Sequence, residues 1–224
     1  MNGDVQRGIR FYQTKKYEQA LTEFRECGKD PSTDTELAYY TGLALTQIGQ
    51  HEDALIYLEM VVNDHESFLH IYQSRMILGY IYAVTGRFKL AEFEYDKLIE
   101  YGLESVQIYA SLAYIYYCQK KIYESIELLD RAIALDPTYP NALNSLGFIY
   151  VEEDVDVSKG LEYCKKAVKL KPNNPAYLDS LGWAQFKIGD YEEARVCLRQ
   201  ALDHSPGNRE IAGHLKIVLA AINK

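Results

Sequence analysis

The stretch that decides the fold is residues 177–206, YLDSLGWAQFKIGDYEEARVCLRQALDHSP. Its first half places Leu178, Leu181, Gly182 and Gln185 at i, i+3, i+4 and i+7. Its second half places Ala194, Leu198 and Ala201 at i, i+4 and i+7. Both spacings put their residues on one side of a helix with 3.6 residues per turn. Gly189 lies between the two halves, where a helix end often needs a left-handed residue, and Pro206 follows the second, where proline ends a helix without harm. The segment therefore predicts two amphipathic helices joined by a short turn.

The pattern recurs along the whole chain. Small residues fall at Gly8, Gly42, Gly79, Ala113, Gly147 and Gly182, at intervals of 34, 37, 34, 34 and 35. Twelve or thirteen residues after each stand Ala20, Ala54, Ala91, Ser125, Gly160 and Ala194. Four residues further on stand Phe24, Leu58, Tyr95, Leu129, Cys164 and Leu198. A fixed period of this length means stacked supersecondary units, with small residues where two helix axes approach closely. The units run approximately 1–34, 35–71, 72–105, 106–139, 140–174 and 175–207, followed by a helix over 208–224 carrying Ile211, Leu215, Val218, Leu219 and Ile222. Such a last helix caps the exposed face of the final unit.

The units at 177–206 and 108–137 resemble the tetratricopeptide repeat family. They do so through Leu178, Leu181, Gly182, Gly189, Tyr191, Ala194, Leu198, Ala201 and Pro206, and through Tyr109, Leu112, Ala113, Tyr116, Leu129, Ala132 and Pro137, with Ser125 in place of the usual Ala. The resemblance implies an all-α fold: a single domain, residues 1–224, in which six helix-turn-helix repeats and a C-terminal capping helix form a right-handed α-solenoid. Three departures are visible. The join NDHESFLHIYQ (63–73) has three extra residues and no proline, which suggests a change of superhelix pitch. The acidic turn YVEEDVDVSKG (150–160) has one extra residue and should bulge. Unit one has Asp4 and Arg7 where a large aromatic and a Leu are usual, so its first helix is expected to fray or to continue into preceding sequence.

By the same resemblance, first helices line a concave groove, reached near the second, fifth, ninth, twelfth and thirteenth positions of each unit. The ninth positions are Ile9, Leu43, Tyr80, Tyr114, Phe148 and Trp183. The fifth and twelfth add Val5, Tyr12, Tyr39, Met76, Tyr117, Val151 and Phe186. The second positions are Asn2, Glu36, Gln73, Gln107, Asn141 and Ala176, four of them carboxamides. The candidate partner contacts are the aromatics Tyr12, Tyr39, Tyr80, Tyr114, Tyr117, Phe148, Trp183 and Phe186 together with the carboxamides Gln73, Gln107, Asn141 and Asn144. Aromatics offer contact area with few rotors to freeze, and carboxamides both donate to and accept from a peptide backbone. The alternative for these rings is burial between repeats. Tyr82, Tyr116, Tyr150, Tyr17, Phe88 and Tyr191 sit where packing alone wants an aromatic.

Composition narrows the function classes. The chain has 224 residues, 48% hydrophobic and 25% charged, with 20 Tyr among its aromatics. Its net charge is -8, from 24 Lys and Arg against 32 Asp and Glu, which disfavours nucleic acid and anionic membranes. Up to Leu112 there are 10 basic and 17 acidic residues, so attraction of a basic partner should act on the N-terminal half. Groove positions Val5, Ile9, Tyr40, Gln73 and Ile77, or Ala110, Tyr114, Ser145, Ala176 and Ser180, hold no basic clamp for a chaperone's acidic carboxy-terminus. The expected partner is another protein, as a peptide or helical segment. A self-associating assembly component, or a carrier of a small hydrophobic ligand in the same groove, stands as the alternative.

No catalytic residue, cofactor or metal is expected. His51, His65, His70, His204 and His214 include no i, i+4 pair. Cys27, Cys118, Cys164 and Cys197 are scattered and read as small buried hydrophobes of a reducing compartment. The turn residues Glu152, Glu153, Asp154 and Asp156 lack a calcium-loop pattern. Lys159, Lys165, Lys166, Lys169 and Lys171 read as complements to a helix dipole without interleaved stacking rings. No apolar run suits a membrane span. A cytoplasmic setting is expected, or a periplasmic or exported one if a signal segment has been removed.

Overall fold

A computed structural model describes residues 5–63 and 67–223; Asn2, Asp4 and His65 lie outside them. Among the described residues there are helices and no strands, and no helix is long and apolar enough to cross a membrane. The chain divides into two compact units, Met1–Leu103 and Glu104–Lys224. The first contains α1 (Val5–Gln13), α2 (Tyr17–Glu26), α3 (Thr35–Gln47), α4 (His51–Val62), α5 (Phe68–Val84) and α6 (Phe88–Glu100). The second contains α7 (Val106–Cys118), α8 (Ile122–Leu135), α9 (Pro140–Glu152), α10 (Val157–Leu170), α11 (Pro175–Lys187), α12 (Tyr191–His204) and α13 (Arg209–Ile222).

Helix starts follow local chemistry. Asp34, Ser67, Ser105, Asn174 and Asn208 each accept a hydrogen bond from backbone N–H groups in the first turn of the helix they precede. Pro140 and Pro175 occupy first helical positions, where a missing N–H costs nothing. Between the two helices of a hairpin the chain turns through a left-handed residue: Gly49, Gly86 and Gly189 have φ of 77°, 76° and 87°. The following N–H reaches back to close the turn, as in Gln50 N to Leu45 O at 3.0 Å. Lys15, Lys120 and Asp154 take the same conformation at φ of 61°, 62° and 50°. For a residue with a Cβ this geometry costs about 1–2 kcal/mol. Lys120→Gly is therefore expected to stabilise the protein by about 1 kcal/mol, measured as a higher urea midpoint with unchanged slope.

The small residues sit where helices cross. A Cβ built on Gly8, Gly42, Gly79 or Gly182 would fall under 3.0 Å from Phe24, Leu58, Tyr95 or Leu198. The departures from the repeat are accommodated individually. Ser125 is fully buried between α7 and α8 and gives its hydroxyl to the Ala113 carbonyl at 2.7 Å, so it fills an alanine's space without leaving a polar group unpaired. Arg7 donates to the buried carboxylate of Glu23, and α1 is helical over Val5–Gln13, while the expected irregularity at Asp4 lies outside the described residues. The extra residues before the third hairpin lengthen α5, which begins at Phe68, ahead of the expected boundary at 72, and runs 17 residues. The extra residue after α9 lengthens the turn, exposing Val155, while Asp156 caps α10.

In the first unit the core is a row of fully buried side chains, Leu37, Leu58, Leu78, Ile81 and Leu98. It also holds an ion pair, Arg75 to Glu94 at 2.6 Å, between α5 and α6. In the second unit Leu112, Leu129, Leu146 and Leu198 are fully buried, and α13 adds Ile211 and Val218 to a cluster with Leu178, Ala194, Leu198 and Ala201. The last helix caps the final hairpin as its apolar stripe required.

Candidate binding site

The second unit brings four of the expected contact residues together. Tyr114 and Tyr117 lie one turn apart on α7, while Asn144 and Phe148 lie one turn apart on α9. With Ser145 they line a cleft of about 190 Å³ floored by Ala113, Leu129 and Ile149. Tyr114 is 54% exposed, and Tyr117 and Phe148 are half-buried, their rings meeting edge to face at 6.2 Å. Burial and the nearby Glu153 carboxylate push the Tyr117 hydroxyl up to about 12, and Lys120 lies 5.6 Å from its ring centre. Hydrogen bonding with Cys118 raises the Tyr114 hydroxyl. Both hydroxyls are thus uncharged at neutral pH.

The amide oxygen of Asn144 is buried with no hydrogen-bond partner. A buried unsatisfied acceptor costs about 1–3 kcal/mol, which an N–H arriving from outside would recover. The cleft therefore offers three rings, an apolar floor and a carboxamide in need of a donor.

The other expected contacts are placed differently. Tyr39 is only 6% exposed: its ring stacks on His70 at 4.1 Å and its hydroxyl donates to Gln73. The expectation that Tyr39 and Gln73 face an open groove is corrected. They are joined across α3 and α5, and burial pushes the Tyr39 hydroxyl up to about 12. Tyr12 is half-buried, in a chain of rings with Tyr17 and Tyr40 at 5.6 Å each. Asn141 accepts from the Tyr177 hydroxyl, so a second carboxamide serves helix–helix contact; Gln107 is exposed. Val5, Ile9, Leu43 and Val151 are buried rather than groove-facing, and Tyr80 is 52% exposed on α5.

Trp183 and Phe186 are covered by residues the repeat pattern did not single out. Their rings stack at 5.1 Å, and His214 from α13 stacks on Trp183 at 4.4 Å. The indole N–H donates to Glu152 at 2.7 Å, and His214 Nδ1 pairs with Asp179 Oδ1 at 2.9 Å. His214 belongs to the cap, which has no repeat register, so no position rule could mark it. Asp179 holds the imidazole above its ordinary value of 6.5 against the opposing effect of burial. A cation held above its unfolded value contributes stability fully present below about pH 6.5 and lost as pH rises through the folded value. His214→Gln is thus expected to lower stability more at about pH 5.5 than at about pH 8.5, read from paired urea titrations.

Elsewhere the chemistry is quiet. Cys164 and Cys197 are buried, Cys27 and Cys118 half-buried, and burial pushes the Cys164 thiol up to about 12, far from a reactive thiolate. Among the described residues no group of three or more His, Cys, Asp or Glu could hold a metal ion. On α10 a ring does lie among the lysines: Lys159 and Lys166 stand 5.9 and 5.1 Å from Tyr163.

Known proteins match at the level of the repeat. The family models "TPR repeat" and "Tetratricopeptide repeat" match residues 113–153 and 175–208. Among solved structures, a tetratricopeptide repeat protein from Parabacteroides merdae is 15% identical with a TM-score of 0.71, over 96% of this chain and 82% of that one. YrrB, described as a TPR protein with an unusual peptide-binding site, is 18% identical with a TM-score of 0.59, over 89% and 97%. The first TPR of Spaghetti (RPAP3), bound to the HSP90 peptide SRMEEVD, is 21% identical with a TM-score of 0.50, over 54% and 94%. No curated protein matches the sequence.

Proposed function

We propose, for a chain that belongs to the tetratricopeptide repeat family, that it is a non-enzymatic scaffold that holds a segment of another protein in the cleft between α7 and α9. The observation that carries this reading is the unpaired Asn144 amide oxygen beside the exposed ring of Tyr114. A segment that places an apolar side chain between Tyr114 and Phe148 and directs a backbone N–H at Asn144 would remove ring surface from water and satisfy the acceptor together. Two proteins of similar fold, one described as having an unusual peptide-binding site and one bound to a peptide, support such a use of the fold.

The cleft is lined by rings, a hydroxyl and a carboxamide, without a basic side chain. An acidic carboxy-terminus such as that of SRMEEVD meets no basic residue in the lining and only Lys120 beside the Tyr117 ring, so an apolar, neutral segment is the better fit. Peptides selected from a random library against the whole chain supply the test. Tyr114→Ala should weaken the selected peptides by about 1–3 kcal/mol in calorimetric titration while leaving the unfolding midpoint within about 0.5 kcal/mol of the parent. Unchanged affinity in a folded Tyr114→Ala protein would refute the assignment.

A further inference from the structure

The first unit carries a second cleft, on the side formed by second helices. It has a volume of about 440 Å³. Leu21 and Phe24 of α2 face it from one side and Ile56 and Tyr57 of α4 from the other. Leu45 of α3 contributes buried apolar surface, and Pro31 lies in the link after α2. This volume falls in the range of small-molecule pockets, about 300–1,000 Å³.

Two polar features within it are unexplained by folding. Thr41, 7% exposed on α3, contributes a buried hydroxyl with no hydrogen-bond partner. Thr22 on α2, Thr46 further along α3 and Thr85 at the end of α5 each give theirs to a carbonyl one turn back, at 3.0, 2.8 and 2.7 Å. Thr41 makes no such bond and lines the cleft instead. At the rim stand Arg25, Lys29 and Asp53. Lys29 is held by Asp34 at 2.5 Å, whereas Arg25 makes no ion pair among the described residues. This cationic rim lies in a unit with 10 Lys and Arg against 16 Asp and Glu over residues 1–103.

We propose that this cleft binds a small aromatic carboxylate. The acid pairs with the Arg25 guanidinium, the ring lies against Phe24, Leu45 and Ile56, and a hydroxyl on the far side of the ring meets Thr41 Oγ1. A neutral ligand would leave Arg25 unused, and a purely apolar one would leave the Thr41 hydroxyl unsatisfied. Asp53 disfavours a ligand with a second negative charge at the rim.

The probes are 3-(4-hydroxyphenyl)propionate, 3-phenylpropionate and the amide of the first, titrated into the whole chain and followed by backbone amide shifts. The hydroxylated acid is expected to shift Thr41, Leu45 and Ile56 saturably. Arg25→Gln, or replacement of the acid by its amide, is expected to weaken binding about tenfold or more. The parent prefers the hydroxylated acid to 3-phenylpropionate, and Thr41→Val abolishes that preference. Arg25 is exposed and valine matches threonine in shape, so both variants keep the fold, which circular dichroism verifies. Absence of saturation at about 10 mM acid, shifts mapping elsewhere, equal binding by Arg25→Gln, or a preference that survives Thr41→Val would each overturn the proposal.

Discussion

Arg75→Met is expected to destabilise the protein by about 3–5 kcal/mol, because it strips the partner from a buried carboxylate. Arg75 and Glu94 are each 9% exposed at the side chain and meet at 2.6 Å between α5 and α6. Burial already holds the Glu94 carboxyl above the ordinary range, with Arg75 opposing that effect. Without Arg75 the carboxyl moves further up. The unfolded chain then releases its proton at a lower pH than the folded one, so the stability of the variant falls as pH rises above about 4.5. The double variant Arg75→Met/Glu94→Leu removes both charges and should recover most of the loss. Urea unfolding of the three proteins checks the sequence of effects; equal losses in the single and double variants would show that the pair matters for shape and not for charge.

The second large effect concerns α9 and α10. A Cβ on Gly147 would stand 2.9 Å from both the Cys164 nitrogen and the Gly160 carbonyl oxygen, and one on Gly160 would stand 2.8 Å from the Gly147 oxygen. Backbone atoms cannot swing away, so Gly147→Ala should cost about 1–3 kcal/mol despite alanine's better helix propensity. Gly42→Ala meets side-chain atoms of Leu58 at 2.8 Å but its backbone only at 3.4 Å, and should cost less. Gly213→Ala, inside α13 with nothing within 4 Å, should stabilise by about 1 kcal/mol. One substitution thus has opposite signs at positions that differ only in what lies across from the Cα. A common sign at Gly147 and Gly213 would contradict this account of the crossing.

These cases show how much of the fold could be read from the chain. The alternation of a small residue with a large one sixteen positions later was legible, because helix crossing demands a void on one side and a filler on the other, as for Gly79 and Tyr95. The left-handed turns at Lys15, Lys120 and Asp154 were not, since only glycine announces that conformation and a hairpin held by its packing can impose it on other residues. The site was legible in part. Tyr114, Tyr117, Asn144 and Phe148 meet because their helices are regular and their spacing follows the repeat. Tyr39 was misplaced because its environment depends on His70, which lies in the turn added to α5 by the irregular join. The ring that stacks on Trp183 was not legible for a related reason: the cap that places His214 over it has no counterpart inside the repeat.

The proposed partner segment lies between α7 and α9. The most direct measurement is hydrogen exchange of the whole chain with and without a saturating library-selected peptide. Protection should concentrate in 110–119 and 141–151, and Asn144→Ala should remove it while the free proteins exchange alike. Protection confined to the first unit, or undiminished by Asn144→Ala, would contradict the account.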